Sequence, residues 1–112
     1  MKKKTFICIV FLLLVGGCHT LQGNPRAELK VAEEAYVAIV ETLTDMNNAG
    51  YIAEDEQILI TELVHSGRDL LKDWHEKIVT TGKRPAVADQ ALYIIRRLAE
   101  WQLIKEKEKG GL

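Results

Sequence analysis

The chain has 112 residues, with 15 Lys and Arg against 16 Asp and Glu for a formal balance of −1, and 47% of its residues are hydrophobic. Without a basic surplus it is a poor match for nucleic acid, and its length allows one domain with a modest core. Of its two cysteines only Cys18 lies outside the apolar N-terminal stretch, which excludes an internal disulfide in what remains.

The first element in chain order is an export signal. Lys2, Lys3 and Lys4 form a basic start, Thr5 to Leu14 an apolar core, and Val15, Gly16 and Gly17 are small or slim residues before Cys18. From Thr5 to Val15 is 11 residues, against roughly 20 for a helix that spans a bilayer. The stretch therefore reads as a signal that is removed, and a permanent span is the weaker reading.

Val15-Gly16-Gly17-Cys18 resembles the bacterial lipoprotein signal, or lipobox, whose usual form is Leu, a small residue, Gly or Ala, then Cys. Here Val replaces the commoner Leu, and Gly stands where Ala or Ser is more usual. The resemblance covers the first 18 residues. It implies that residues 1–17 are cut away, that the Cys18 thiol receives a diacylglyceryl group, and that the freed amine is acylated in many bacteria. Each buried methylene is worth about 0.8 kcal/mol, and two or three chains make a stable anchor where one is marginal. The alternative is an ordinary signal that happens to be cut before a cysteine. In a Gram-negative host the resemblance and His19, which is not the Asp that favours inner-membrane retention, imply the periplasmic face of the outer membrane. In a Gram-positive host they imply the outer face of the plasma membrane. Small lipoproteins of this build are also carried by phages and prophages, where lysis or exclusion of competing phages is the usual role.

Removal of residues 1–17 leaves 12 basic and 16 acidic side chains, a formal balance of −4. Glu28 to Glu62 holds nine acids and one base, whereas Leu63 to Leu112 holds seven acids and ten bases. Residues 18–24 read as a tether, whose six residues after Cys18 span roughly 12 to 15 Å. Residues 25–109 read as three helices, at about 25–48, 54–81 and 85–109, with a tail at 110–112.

Asn24 is placed to cap the first helix and Pro25 to occupy its first position, while Gly50 takes the left-handed conformation after it. Leu29, Ala32, Tyr36, Ile39, Leu43 and Met46 form one apolar stripe. Glu54, Asp55 and Glu56 favour the start of a second helix, whose stripe is Ile60, Leu63, Gly67, Leu70 and Trp74 before Gly82 ends it. A glycine within a stripe weakens its helix; either Gly67 makes room for a bulky neighbour such as Tyr36 or Trp101, or it has no packing role. Pro85 is placed to open the third helix, with the stripe Val87, Ala91, Ile94, Leu98 and Trp101, and Lys105, Lys107 and Lys109 lie near its C-terminal end. Short connections between three such helices predict an all-α, up-down-up antiparallel bundle.

Apolar residues also stand off the stripes, among them Val37, Val40, Leu59, Leu92 and Ile95. Either they widen the core, or they form a patch that takes a partner helix, a second copy or the lipid surface. Glu62 and His65 have the Glu-x-x-His spacing of di-iron bundles, but with Leu63 facing inward, His65 turns away from the core and reads as solvated. No Gly-x-Ser-x-Gly is present, Gly82-Lys83 lacks the rest of a phosphate loop, and Lys83 and Arg84 read as solubilising turn residues, with contact to anionic lipid or lipopolysaccharide the weaker reading. The expectation is a non-enzymatic membrane lipoprotein with no metal, and no cofactor beyond the covalent lipid on Cys18. It would bind another cell-envelope protein, associate with itself, or serve as accessory subunit to an envelope enzyme, with no nucleic acid or small-molecule substrate inferred.

Overall fold

The computed structural model describes residues 24–109. Val15, Gly16, Gly17 and Cys18, with His19, the tether up to Gly23 and the tail 110–112, lie outside the described residues. Within them the chain is 87% helical in three helices, α1 Pro25–Asn48, α2 Glu54–Thr81 and α3 Val87–Lys109, with no strand.

The ends of the helices follow from local chemistry. Asn24 Oδ1 accepts the Ala27 N–H at 3.2 Å, with Pro25 in the first position of α1. At the other end Gly50 has φ +84°, its N–H donates to Asn47 O at 3.0 Å, and the Tyr51 N–H donates to Met46 O at 2.9 Å. This pair of bonds is the Schellman closure that a left-handed glycine permits. Glu56 reaches back to accept the Ala53 N–H at 3.0 Å at the start of α2, a half capping box, since Ala53 has no side-chain acceptor to return the bond. Gly82, at φ +69°, ends α2.

The third helix begins at Val87, two residues after the predicted start at Pro85. The Ala88 N–H donates to Pro85 O at 3.1 Å and the Asp89 N–H to Ala86 O at 3.2 Å. Bonds that span three residues make a tight 3₁₀-type turn, so Pro85 sits in the approach and regular α-helix follows it.

The long extent of 45 Å is close to the length of α2 alone, about 42 Å at 1.5 Å per residue, so the helices run along one axis. The other extents are 26 and 15 Å, a flattened arrangement in which α3 packs on both other helices and α1 meets α2 least. Trp74, Ile95 and Leu98 are the largest fully buried side chains.

The stripe of α1 lies in the core, with Tyr36 half-buried at its edge and Ala35 added to it. On α2, Leu63 and Leu70 are only half-buried, while Leu71 and Ile78 join Ile60, Gly67 and Trp74 inside. The cause is the position of α3, which turns α2 so that the arc between its two neighbours is what becomes dry. On α3 the shift is larger. Ile94 and Trp101 are half-buried, and the dry face is Val87, Ala88, Ala91, Leu92, Ile95, Leu98 and Ala99. A helix flanked on two sides buries a wider arc than a single stripe describes.

Candidate functional site

Gly67 lets a side chain of α1 pack closely on α2. A Cβ on Gly67 would meet Tyr36 Cε1 at 2.8 Å and Ile94 Cγ2 at 3.2 Å, so the glycine makes room for Tyr36, one of the two neighbours foreseen. The Tyr36 ring then lies across α2, and its hydroxyl donates to the Val64 carbonyl at 2.5 Å. Burial pushes the Tyr36 phenol up; nearby Arg68 pulls it down and Asp69 adds to the rise.

The seam between α1 and α2 stays open on both sides of this tyrosine. Towards the α1 C-terminus a cavity of about 160 Å³ is lined by Val40, Thr44, Asn47, Thr61 and His65 among others. On the other side a groove of about 500 Å³ has Tyr36, Val37 and Leu71 as its floor, with Glu33 on α1 and Arg68, Lys72, His75 and Glu76 on α2 around it. A third groove, about 450 Å³, lies between α2 and α3 over Leu70, Tyr93 and Ile94.

Of the five residues predicted as an accessible patch, two are in the core. Ile95 is 0% exposed and Leu92 9%, because both face the interior of the bundle from a helix that has neighbours on two sides. They are withdrawn from the patch. Val37 is 52% exposed and Val40 half-buried, and both line the α1/α2 seam. Leu59 is exposed but lines neither cavity of that seam. Glu62 and His65 are both exposed, and among the described residues no group of three or more His, Cys, Asp or Glu side chains gathers as a metal site.

Two charged clamps were not foreseen. Glu28, 4% exposed, accepts from Arg84 Nε at 2.7 Å, and Arg84 Nη2 donates to Asp89 at 2.7 Å. Arg84 is therefore a strut between the start of α1 and the start of α3, and its reading as a solubilising turn residue is corrected. Hydrogen bonds to Asp89 and then to Glu28 hold its guanidinium above the ordinary arginine range, and the bond from Arg84 holds Asp89 below the usual carboxylate value. At the other end Lys105, 3% exposed, donates to Glu56 at 2.5 Å and to Glu108 at 2.9 Å. Burial pulls the Lys105 ammonium down, but its bonds to Glu56 and Glu108 outweigh this and leave it raised. The bond from Lys105, with that from the Ala53 N–H, lowers Glu56. The sequence signal for these clamps is weak: the partners lie 56 and 49 residues apart, and no local pattern joins them.

Among the described residues the Trp74 indole N–H is the one buried side-chain donor without a hydrogen-bond partner, a packing position that carries a polar cost. Among the described residues no helix is long and apolar enough to cross a membrane.

Compared with known proteins, the chain matches no family model, no curated protein and no solved structure.

Proposed function

We propose that this protein is a non-enzymatic lipoprotein, anchored through lipid on Cys18, that works by binding a protein of the cell envelope through the seam between α1 and α2. The single observation that carries the anchor is the basic, apolar and small-residue run ending in Val15-Gly16-Gly17-Cys18. The reading as a binder is supported by the exposed Val37 over an apolar groove with charged rims.

The bundle is read as up-down-up. The Arg84–Glu28 bridge joins the start of α1 to the start of α3, and the Lys105–Glu56 bridge joins the end of α3 to the start of α2. Five-residue connections at 49–53 and 82–86 favour antiparallel neighbours. The start of α1 then faces the anchor, six residues from Cys18. A tether of that length has a root-mean-square span of roughly 12 to 15 Å, which keeps the bundle close to the lipid, on the periplasmic face of the outer membrane in a Gram-negative host or the outer face of the plasma membrane in a Gram-positive one.

Fatty-acid labelling of cells tests the anchor. The wild-type chain incorporates label and Cys18→Ser does not, leaving an uncut precursor or a product free of the membrane. Label that survives Cys18→Ser contradicts the assignment.

A further inference from the structure

The two rims of the α1/α2 seam carry opposite charge that the chain does not use internally. On α2 the exposed residues Ile58, Thr61, His65, Arg68, Lys72 and His75 recur at spacings of 3, 4, 3, 4 and 3. They form one helical stripe without an acid. On α1 the groove is lined by Glu33 beside the half-exposed Val37, with Glu41 one turn beyond Val37 and the exposed Lys30 one turn before Glu33. Among the described residues Glu33, Glu41, Arg68 and Lys72 make no ion pair. Elsewhere Asp73–Lys77 at 3.1 Å, Arg84–Asp89 at 2.7 Å and Arg97–Glu100 at 3.2 Å are paired within the chain, while Glu62, Asp69, Glu76 and Arg96 also make no ion pair among the described residues.

We propose that the α1/α2 seam docks a second copy of the chain about a two-fold axis parallel to the helices, so that α1 of each copy lies against α2 of the other. This rests on the reading of the seam as a protein-binding face, and it names the occupant. The choice of axis follows from the charge. A two-fold axis across the helices sets α1 against α1, carboxylate against carboxylate, which is unfavourable. An axis along the helices sets the acidic rim of each copy against the basic rim of the other, and the contact is made twice in a closed pair.

Rotation about such an axis keeps every residue at its own height. Glu33 and Val37 share one groove with Arg68 and Lys72, so they also meet Arg68 and Lys72 of the second copy at that level. Glu76 is the one carboxylate α2 adds to this groove. Val37 and the floor formed by Tyr36 and Leu71 lose water at the centre, inside a charged rim. The same axis leaves Asn24 of both copies at one end of the pair, so two lipid anchors enter the same membrane.

Photo-crosslinking of the full chain in membranes, with a photoreactive amino acid in place of Val37, tests this. The expected adduct has twice the mass of the chain. The pair Glu33→Lys with Glu41→Lys makes both rims basic, and the pair Arg68→Glu with Lys72→Glu makes both acidic. Each pair lowers the adduct yield about tenfold or more. All four substitutions in one chain exchange the rims and restore the adduct, a rescue that a chain damaged in folding does not give. Circular dichroism on each purified variant checks that the helices persist. An adduct of another mass overturns the second-copy proposal while leaving the seam as a protein-binding face, and absence of any adduct from the wild-type rims overturns both. A doubled-mass adduct that survives both reversals, or that the four-fold exchange does not restore while the helices persist, also overturns the proposal.

Discussion

The faces of α3 and the seam between α1 and α2 are built from opposite materials. Around α3 the contact is dry and aliphatic, with Ile95 and Leu98 at 0% exposure and Ala88, Ala91 and Ala99 allowing close approach. A clamp closes it at each end, Arg84 with Glu28 and Lys105 with Glu56. The α1/α2 seam has one tyrosine seated on one glycine, grooves to either side and unpaired charge along its rims. In a domain this small, stability is concentrated where α3 closes the core, and the α1/α2 seam is the looser of the two contacts.

The largest effect should come from charging the closed side. Ile95→Asp buries an unpaired carboxylate and costs about 4 kcal/mol or more, enough to abolish the helical signal of a marginal domain at 25 °C. Val37→Gln on the open seam shifts stability by no more than about 0.5 kcal/mol. Denaturant unfolding followed by circular dichroism separates the two, and equal losses would erase the contrast between the regions.

Arg84→Met comes next. It strips the buried Glu28 of its partner and costs about 2 to 3 kcal/mol, below the full value for a buried pair because Arg84 itself is 29% exposed. Lys77→Met, which touches only the exposed pair with Asp73, shifts the midpoint by less than about 1 kcal/mol. Comparable losses from the two would mean that the strut is no stronger than a surface pair.

Gly67→Ala is a finer probe of the seam. Alanine favours the helix by up to about 1 kcal/mol, but its methyl meets a ring that is held by the Val64 carbonyl. Overpacking of this kind typically costs 1 to 3 kcal/mol, so the net change is destabilising by about 1 kcal/mol. In a Tyr36→Ala background the same substitution loses that cost. If it destabilises equally in both backgrounds, Tyr36 is not what the glycine accommodates.

The smallest effect is on pH. Asp89 and Glu56 lie below their ordinary values of 3.8 and 4.5 in the folded chain. Their contribution is therefore full above about pH 5 and is lost as pH falls through the lowered folded values. Lys105 lies above its ordinary 10.5, so its contribution is full below that value and is lost as pH rises through the raised one. Melting temperature should be flat between about pH 5 and 10 and decline on both sides. In a chain with Lys105→Met the alkaline decline should shrink, and an unchanged profile would contradict the clamp.

Much of this architecture is legible in the sequence. Asn24, Pro25, Gly50 and Gly82 mark helix ends because capping and left-handed turns are local chemistry, whereas Gly67 within a stripe leaves open whether it makes room for Tyr36 or Trp101 or has no packing role. The charge contrast between the two halves is also visible, although only the fold sets the acidic face of α1 beside the basic stripe of α2. What escapes the sequence is whatever depends on a helix having two neighbours. Leu92 and Ile95 read as surplus apolar residues only if α3 is given one stripe, and Lys105 reads as a terminal cation until Glu56 is brought to it from 49 positions away. The start of α3 is displaced for a related reason, since Pro85 opens a tight turn whose first bonds span three residues.

The central claim is that the chain recognises its partner through the α1/α2 seam and not through the groove between α2 and α3. Photo-crosslinking yields from Val37 and from Tyr93, exposed by 52% and 58% respectively, measured side by side in membranes holding the full chain, test this most directly. The account predicts a strong adduct from Val37 and little from Tyr93. A dominant adduct from Tyr93, or equal yields from both positions, would contradict it.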